Sequence, residues 1–265
     1  MEALNISLEH IQIVQYAIGA VVGLMVLVGL WNCLKGPIRR KKIAAFACQY
    51  NLAFTPRLRF SSAPTAYSHA NGIAVSRSDH DPVDPPHKLH IEAISSESVL
   101  NDPRFFSVFN TSRIRNYCQG TYRCCPVEIF DWQQSRGRGD RSGKGPRSTL
   151  VILRPKAGDL PWFVAVPSVG RHRRKMTNSI QPSTLPEFNT SYRLQAPDGH
   201  PNSENRIVSM MSRAALKLLV DSATVRVQAA GPHLVFSHGN VALAVHAIID
   251  LLDFGIEFDH LLDKA

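Results

Sequence analysis

The chain has 265 residues, of which 44% are hydrophobic and 19% charged, and its formal net charge at pH 7 is +9. This length is sufficient for one domain, or two small ones, with a hydrophobic core. The five cysteines form no CxxC pair, which argues against a disulfide framework or a zinc site. We predict no cofactor and no metal.

The stretch from Tyr16 to Leu34, YAIGAVVGLMVLVGLWNCL, contains no charged residue and no proline. A helix of this length is about 28 Å long, close to the hydrocarbon thickness of a bilayer. A signal peptide fits less well, because basic residues follow the apolar run instead of preceding it. We therefore predict a transmembrane helix at residues 16–34, after an external tail at residues 1–15.

Five basic residues follow the predicted span, namely Lys35, Arg39, Arg40, Lys41 and Lys42. Short basic flanks stay in the cytoplasm, so we predict a single-pass cell-membrane protein with its N-terminus outside and its C-terminal domain cytoplasmic. The same cations are expected to contact anionic lipid heads. Gly19 and Gly23 form a GxxxG pair through which two helices could associate as a homodimer.

The region at residues 35–60 is predicted to form a basic juxtamembrane helix and an entry strand. Gly36-Pro37 is expected to break the apolar helix, and residues 38–50 restart it, either against lipid or on the domain core. Residues 61–100 are rich in Pro, Ser and His, with short strands expected at 72–77 and 89–94. The Asp79-His80-Asp81 triplet lies among prolines in a loop, which argues against a metal site.

Residues 101–265 predict a cytoplasmic α+β domain with an antiparallel sheet and about three to four helices. Apolar residues at helical spacing, together with capping residues, place helices at 103–114, 203–220 and 241–254. Runs of β-branched and aromatic residues predict two hairpins, which pair 127–133 with 148–153 and 224–228 with 233–237.

Cations concentrate in a Gly-rich loop at 136–147 and in the RHRRK segment at 171–175. This pattern predicts a surface for an anionic partner, formed by Arg136, Arg138, Arg141, Lys144, Arg171, Arg173, Arg174 and Lys175. A protein or a lipid surface fits as partner, and a merely solvated loop explains the same charges. Nucleic acid is disfavoured, because aromatic residues are not interleaved with the cations.

No motif for catalysis is complete. The sequence Ser142-Gly143-Lys144-Gly145 lacks the spacing and the following helix of a phosphate-binding loop. No GxSxG is present. A nucleophile assembled in space stays open, from Cys118, Cys124 or Cys125 with His172, His233 or His238. We assign no catalytic residue.

The order of several short motifs resembles an uncharacterised family of bacterial single-pass membrane-anchored proteins. The motifs are the segments Ala47–Pro56 and Phe105–Asn116, the residues Gly120, Tyr122, Val127, Phe130 and Asp131, the pairs Gly143-Lys144 and Leu160-Pro161, and the residues Phe188, Tyr192 and Leu194. The resemblance implies one membrane anchor and a mixed domain of helices and antiparallel strands. It implies no activity and no cofactor.

Three classes of function follow from these features. The first, which we favour, is a non-enzymatic interaction module tethered to the membrane. The alternative is a membrane-bound hydrolase, which requires a serine or cysteine beside a histidine in a concave pocket. A third possibility, nucleic-acid binding, requires residues 136–147 and 171–175 to form one continuous basic face.

Overall fold

The computed structural model describes residues 8–58, 98–101, 113–133, 145, 147–155, 158–168, 179–196 and 201–262. The chain divides into two compact units, Met1–Ala45 and Phe46–Ala265. The first unit holds most of one long helix. The second contains an antiparallel sheet and, in its described part, four further α-helices.

Helix α1 runs without interruption from Leu8 to Gln49 and contains Pro37 in its interior. The predicted break at Gly36-Pro37 is therefore wrong. A proline removes one backbone hydrogen bond, but the Arg, Lys and Ala residues that dominate the next two turns are strong helix formers and continue the helix. The helix ends in a Schellman motif: Asn51 has a φ of 54°, and the Leu52 N–H bonds the Ala47 carbonyl at 2.8 Å.

The predicted transmembrane helix at residues 16–34 is wrong. Within the described part of the chain, no helix combines the length and the apolar character that crossing a bilayer requires. The prediction treated the apolar run as an isolated element of membrane length, whereas the run is the middle of a 42-residue helix with polar sequence at both ends. The single-pass description is corrected with it, and so is the α+β class insofar as it included a membrane span. The location of the N-terminus outside the cell and of the C-terminal domain in the cytoplasm stays a prediction.

The second unit is organised by a sheet whose strands pair antiparallel throughout. The strands of the described residues are β1 (Ala53–Leu58), β2 (Arg113–Tyr122), β3 (Cys125–Gln133), β4 (Arg147–Leu153), β5 (Leu160–Pro167), β6 (Ser179–Ile180), β7 (Tyr192–Gln195), β8 (Arg226–Gly231) and β9 (His233–Ser237). Their order across the sheet is β1-β2-β3-β4-β9-β8-β5-β7-β6.

Both predicted hairpins are confirmed. Strands β3 and β4 pair from Val127 opposite Leu153 to Gln133 opposite Arg147. Strands β8 and β9 pair from Arg226 opposite Ser237 to Ala230 opposite His233. Runs of β-branched and aromatic residues on either side of a turn segment were sufficient to predict these pairs.

The helices of the second unit are α2 (Pro186–Ser191), α3 (Pro201–Met210), α4 (Arg213–Ser222) and α5 (Val245–Leu261). The single helix predicted at 203–220 is in fact α3 and α4. Ser212 separates them, because its backbone is extended and its side chain accepts a hydrogen bond from the Ala215 N–H at the start of α4.

The last helix begins four residues later than the predicted 241–254. The Val241 carbonyl accepts a hydrogen bond from the Thr149 N–H at 3.0 Å, and the Leu243 N–H donates to Thr149 Oγ1 at 2.8 Å. These bonds attach the segment before α5 to strand β4, so its backbone groups are not available to a helix.

Three other predicted elements fall largely outside the described residues. The strands expected at 72–77 and 89–94 lie there completely. The helix expected at 103–114 lies there except for its last two residues, which belong to β2.

One face of the sheet is covered by α5. A Cβ on Gly255 would lie 2.7 Å from Leu153 Cδ1 and 2.9 Å from Phe236 Cε2, so the helix backbone packs directly on β4 and β9. The Phe236 ring meets the rings of Phe254 and Phe258 edge-on, at 5.9 Å between centroids. This side is the well-packed core of the unit.

The opposite face is called here the Glu128 face. Directly opposed residues of neighbouring strands project to the same side, and one such row runs through Gln119, Glu128, Ile152, Val235, Gln228, Val164 and Gln195. Val99 and Leu100, in a short 3₁₀ helix at Val99–Asn101, are buried against the apolar part of this face, which contains Ile114, Tyr117, Phe130 and Ile152.

Candidate functional site

The apolar run of α1 is exposed. The relative exposure of Met25 is 69% and that of Leu27 is 65%. The exposed side chains include seven in the window of residues 21–28, namely Val21, Val22, Leu24, Met25, Val26, Leu27 and Val28. Because successive positions on a helix point about 100° apart, these side chains surround the helix on all sides.

The five basic residues after this run lie on the same helix. Lys35, Lys41 and Lys42 are exposed, and Arg39 and Arg40 are half-buried. Apolar and cationic side chains therefore follow one another along α1. Such a sequence of groups matches the chemistry of a lipid surface, in which acyl chains lie beneath anionic heads.

The predicted glycine pair also lies within α1. A Cβ on Gly23 would meet no atom within 4 Å, so the space beside this glycine is open. A homodimer through Gly19 and Gly23 stays a prediction.

The eight cations predicted to form an anion-binding surface lie outside the described residues. They are Arg136, Arg138, Arg141, Lys144, Arg171, Arg173, Arg174 and Lys175. Their contact with an anionic partner therefore stays a prediction, as does the continuous basic face that nucleic-acid binding would require.

The second candidate site is a buried carboxylate on the Glu128 face. Glu128 Oε2 accepts hydrogen bonds from Ser98 Oγ at 2.5 Å and from the Tyr117 hydroxyl at 3.0 Å, and Oε1 accepts from the Val99 N–H at 3.2 Å. The Tyr117 hydroxyl also lies 3.1 Å from Gln119 Oε1. Glu128 thus connects the 98–101 segment to strands β2 and β3.

Burial governs the protonation of this cluster. It raises the pKa of Glu128, and the bonds from Ser98, Tyr117 and Val99 oppose the rise only in part. Burial, followed by the negative charge of Glu128, also raises the pKa of Tyr117. The cluster therefore holds its protons more strongly than free side chains do.

A cavity of about 90 Å³ opens beside Glu128. Its lining residues are Gln119, Gly120, Pro126, Val127, Glu128, Ile152 and Arg154. It is smaller than the roughly 300–1,000 Å³ of typical ligand pockets. No serine, cysteine or histidine is among the described residues that line it, so it does not provide the nucleophile and base that the hydrolase hypothesis requires.

A second buried acid, Asp131, serves the opposite face. Asn116 Nδ2 donates to Asp131 Oδ2 and Thr149 Oγ1 donates to Oδ1, each at 2.8 Å. Asn116 has a φ of 53° at the irregularity where the β2–β3 register shifts. Asp131 therefore satisfies the polar groups of a bulge and fixes Thr149 for its bonds to the segment before α5.

Two of the cysteines and histidines raised by the sequence, Cys118 and His238, lie in environments that the structure describes in detail. Burial, with a further contribution from Asp131, raises the pKa of Cys118 to about 12, the reverse of what a nucleophilic thiolate needs. His238 Nδ1 lies 2.9 Å from Thr224 Oγ1, and burial lowers the pKa of His238. His172 lies outside the described residues.

Metal binding finds no support in the same part of the chain. The described residues contain no cluster of three His, Cys, Asp or Glu side chains that could hold a metal ion.

Sequence reasoning missed Glu128 as a buried group, although a signal existed. In the segment VEIFDWQ, apolar residues occupy both parities of the strand, which indicates that both faces are covered. An acid at either parity must then be buried and hydrogen-bonded. Glu128 and Asp131, three residues apart, satisfy this condition on opposite faces.

Comparisons with known proteins add little to this picture. No protein-family model matches the chain, and no curated protein matches it. Among solved structures, the crystal structure of the mycobacterial trehalose monomycolate transport factor A, TtfA, is similar to this chain with a TM-score of 0.47 and 9% sequence identity. The match covers 85% of this chain and 97% of the TtfA chain. A likeness of this degree supports no conclusion about the fold or function of this chain. The resemblance to an uncharacterised bacterial membrane-anchored family stays a prediction.

Proposed function

We propose that this protein is a non-enzymatic interaction module that associates with the cell membrane. In this proposal α1 contacts the lipid, and the sheet of the second unit binds a protein partner. The observation that carries the proposal is the exposed apolar surface of α1 from Val21 to Val28.

Exposing that apolar surface to water is energetically unfavourable. Full burial of a Val, Leu or Met side chain contributes about 1.5–3 kcal/mol, so transferring seven half-exposed to two-thirds-exposed side chains into lipid contributes on the order of 7 kcal/mol. Soluble monomeric proteins rarely expose a contiguous apolar surface of this kind.

The basic residues specify the kind of lipid. Each lysine or arginine near an anionic leaflet contributes about 1 kcal/mol to binding. Lys35, Lys41 and Lys42 are exposed on α1, so this cluster favours anionic over neutral head groups. Salt weakens this contribution, while the apolar contribution persists.

The chemistry of the second unit supports a binding role over a catalytic one. Glu128 and Asp131 are each occupied by bonds from neighbouring groups, and Cys118 is held in its protonated form. These groups tie segments together, and none of the three is activated as a nucleophile. The hydrolase hypothesis therefore receives no support from them.

Flotation of the full-length chain with vesicles tests the proposal. Vesicles of phosphatidylcholine alone and of phosphatidylcholine with phosphatidylglycerol are used side by side. The wild type is expected to float with both, and more completely with the anionic vesicles. The L24E/M25E/L27E variant is expected to stay at the bottom, because three charges oppose burial of the apolar surface.

A matched control is Val241→Glu, which places one carboxylate on an apolar side chain that is 51% exposed in the second unit. This variant should float as the wild type does. The K35Q/K41Q/K42Q variant should lose much of its preference for the anionic vesicles, while Arg39 and Arg40 retain the rest. Flotation of L24E/M25E/L27E at the wild-type level would contradict the proposal.

A further inference from the structure

Strands β5, β8 and β9 carry a small surface on the Glu128 face that combines polar and apolar side chains. Arg226 lies opposite Ser237, and Gln228 lies between Val235 on β9 and Val164 on β5. Directly opposed residues project to the same side of a sheet, as do residues two apart in one strand. The five side chains therefore form one surface, called here the Arg226 surface.

The polar groups of this surface have unused hydrogen-bonding capacity. Within the described part of the chain, no hydrogen bond or ion pair involves the side chain of Arg226, Gln228 or Ser237. Ser237 is only 6% exposed, and a buried hydroxyl without a partner is unfavourable. These groups therefore favour a ligand that accepts hydrogen bonds.

Among the residues that the structure describes, no carboxylate compensates the charge of Arg226. This residue is exposed, yet the adjoining strands desolvate its guanidinium group enough to lower its pKa, and burial is the only cause of that shift. A nearby carboxylate would act in the opposite direction. The uncompensated cation favours an anionic group on the ligand.

The neighbouring side chains set the limits of the Arg226 surface. Trp162, on the same face of β5, packs on the apolar cluster that includes Val99. Its Nε1 is buried and has no hydrogen-bond partner among the described residues, so Trp162 adds an apolar border and no accessible donor. Arg193 and Gln195 on β7 already interact within the chain and do not belong to this surface. The surface thus has one charged end, at Arg226, and one apolar end.

The spacing of the polar groups fits an extended peptide. Successive residues of a strand are about 3.4 Å apart, so Arg226 and Gln228 are separated by about 7 Å along β8. In an extended segment, a similar distance separates the terminal carboxylate from the peptide group two residues before it. A primary amide donates and accepts hydrogen bonds as a peptide group does, so Gln228 can bond that group while Arg226 bonds the carboxylate.

We propose that the Arg226 surface binds the free C-terminus of a partner protein that ends in apolar residues. The terminal carboxylate lies on Arg226 and Ser237, and the apolar side chains lie on Val164 and Val235. Capture of a C-terminal carboxylate is a known mode of peptide recognition. The proposal rests on the protein-binding role proposed above for the sheet, and it does not depend on lipid association.

The same observations favour a peptide over a lipid. An alkyl chain lying along β8 would cover Gln228 without offering it a hydrogen bond, which is unfavourable. Recognition of an anionic membrane uses clusters of about four to eight cations, whereas the Arg226 surface has a single arginine.

The test uses the full-length chain and two fluorescein-labelled peptides that end in Val-Ile-Val, one with a free terminal carboxylate and one with an amide cap. Fluorescence anisotropy should show that the wild type binds the carboxylate peptide about tenfold more tightly. In R226Q this preference should disappear, because the cap and the substitution remove the same interaction. Binding to the apolar surface of α1 cancels in the comparison, because both peptides have the same apolar side chains.

Three further variants make the result specific. R206Q, at an exposed position of helix α3, should keep the wild-type preference. S237A should reduce the preference by about threefold, because one hydrogen bond to the carboxylate is lost. V164A should weaken binding of both peptides by the same factor, because Val164 contacts the apolar side chains that they share. Circular dichroism of each variant confirms its fold.

The proposal is overturned if the wild type binds both peptides equally or binds neither. An equal loss of the preference in R206Q and R226Q also contradicts it. Displacement of the carboxylate peptide by an equal concentration of dodecanoate would show that an alkyl carboxylate is sufficient, and would assign the surface to a lipid. Flotation with vesicles that is lost in L24E/M25E/L27E would leave the membrane proposal intact when the peptide experiment fails.

Discussion

The phenolic hydroxyl of Tyr122 donates a hydrogen bond of 2.9 Å to Oδ1 of Asp253, and so connects the end of strand β2 to helix α5. The Arg123 guanidinium lies 3.1 Å from the same carboxylate oxygen and 5.4 Å from the Tyr122 ring centroid. The Tyr122 ring also contacts Tyr50 at 5.3 Å between centroids. One carboxylate thus holds the β2–β3 hairpin against the last helix.

Removing the hydroxyl should weaken this connection measurably. We expect Tyr122→Phe to lower the free energy of unfolding by about 1.5 kcal/mol, because a hydrogen bond to a charged acceptor is lost. Urea unfolding at neutral pH measures the change. Tyr16→Phe is the control, since Tyr16 is 80% exposed on α1; an equal loss in both variants would contradict the assigned role.

The same hydrogen bond predicts that the stability of the protein depends on pH in the alkaline range. Burial, followed by the hydrogen bond to Asp253, raises the pKa of Tyr122 from 10.0 to about 12. The unfolded chain therefore releases this proton first, and stability due to Tyr122 is lost as pH rises from 10 through about 12. Ultraviolet titration of tyrosinate should show an ionisation step near pH 12 that is absent in Tyr122→Phe.

The burial of Glu128 predicts that the stability of the protein depends on pH in the acidic range. Burial raises its pKa above the usual 4.5, so the native state binds its proton more tightly than the unfolded chain does. The free energy of unfolding should fall as pH rises from 4.5 through the raised pKa of the native state, and then level off. Glu128→Gln should remove this slope in urea unfolding over the same pH range. A slope that persists unchanged would exclude Glu128 as its origin.

Truncation of the same side chain tests its structural role. Glu128→Ala leaves Ser98 Oγ, the Tyr117 hydroxyl and the Val99 N–H without their acceptor, and should cost about 3 kcal/mol of stability. The matched control is Glu257→Ala, at an exposed position of α5, which should change stability by less than about 0.5 kcal/mol. An equal loss of stability in both variants would show that the three hydrogen bonds to Glu128 do not stabilise the fold.

Close packing at Gly255 predicts that an added methyl group lowers the stability of the fold. A Cβ there would lie within 3 Å of both Leu153 and Phe236, so Gly255→Ala should destabilise the fold by about 1–2 kcal/mol despite the better helix propensity of alanine. Gly23→Ala has no neighbour within 4 Å and should be neutral or stabilising. Thermal unfolding distinguishes the two, and a stabilised Gly255→Ala would contradict the observed packing.

A residue with left-handed backbone conformation at the end of α4 predicts that a glycine there would increase stability. Ala223 has a φ of 54° and caps the helix through bonds from its N–H to the Leu219 and Val220 carbonyls. Glycine adopts this conformation without strain, so Ala223→Gly should stabilise the protein by about 0.5–1 kcal/mol. Ala214→Gly, in the first turn of the same helix, should destabilise by roughly 0.5 kcal/mol. The same sign for both variants would refute the assignment of the cap.

Local patterns in the sequence predicted the two hairpins because runs of β-branched and aromatic residues favour strands, and strands close together in the chain tend to pair. They did not predict the division at Ser212, because a serine at this position is compatible with either a helix interior or a cap. Nor did they predict the start of α5, which depends on Thr149, a residue 94 positions away from Leu243. The length of the apolar run in α1 was taken as the length of a separate helix, whereas the helix that contains the run has 42 residues. Pairings between distant residues, such as Ser98 with Glu128, leave no local periodicity.

The bonds of Thr149 have a consequence for how α5 is oriented about its own axis. By holding Val241 and Leu243 to β4, they set the residue at which the helix begins, and each residue of displacement would rotate its contact face by about 100°. Gly255 would then turn away from Phe236, and a bulkier side chain would take its place. We expect deletion of a single residue between His238 and Ala244 to be more damaging than its loop position suggests.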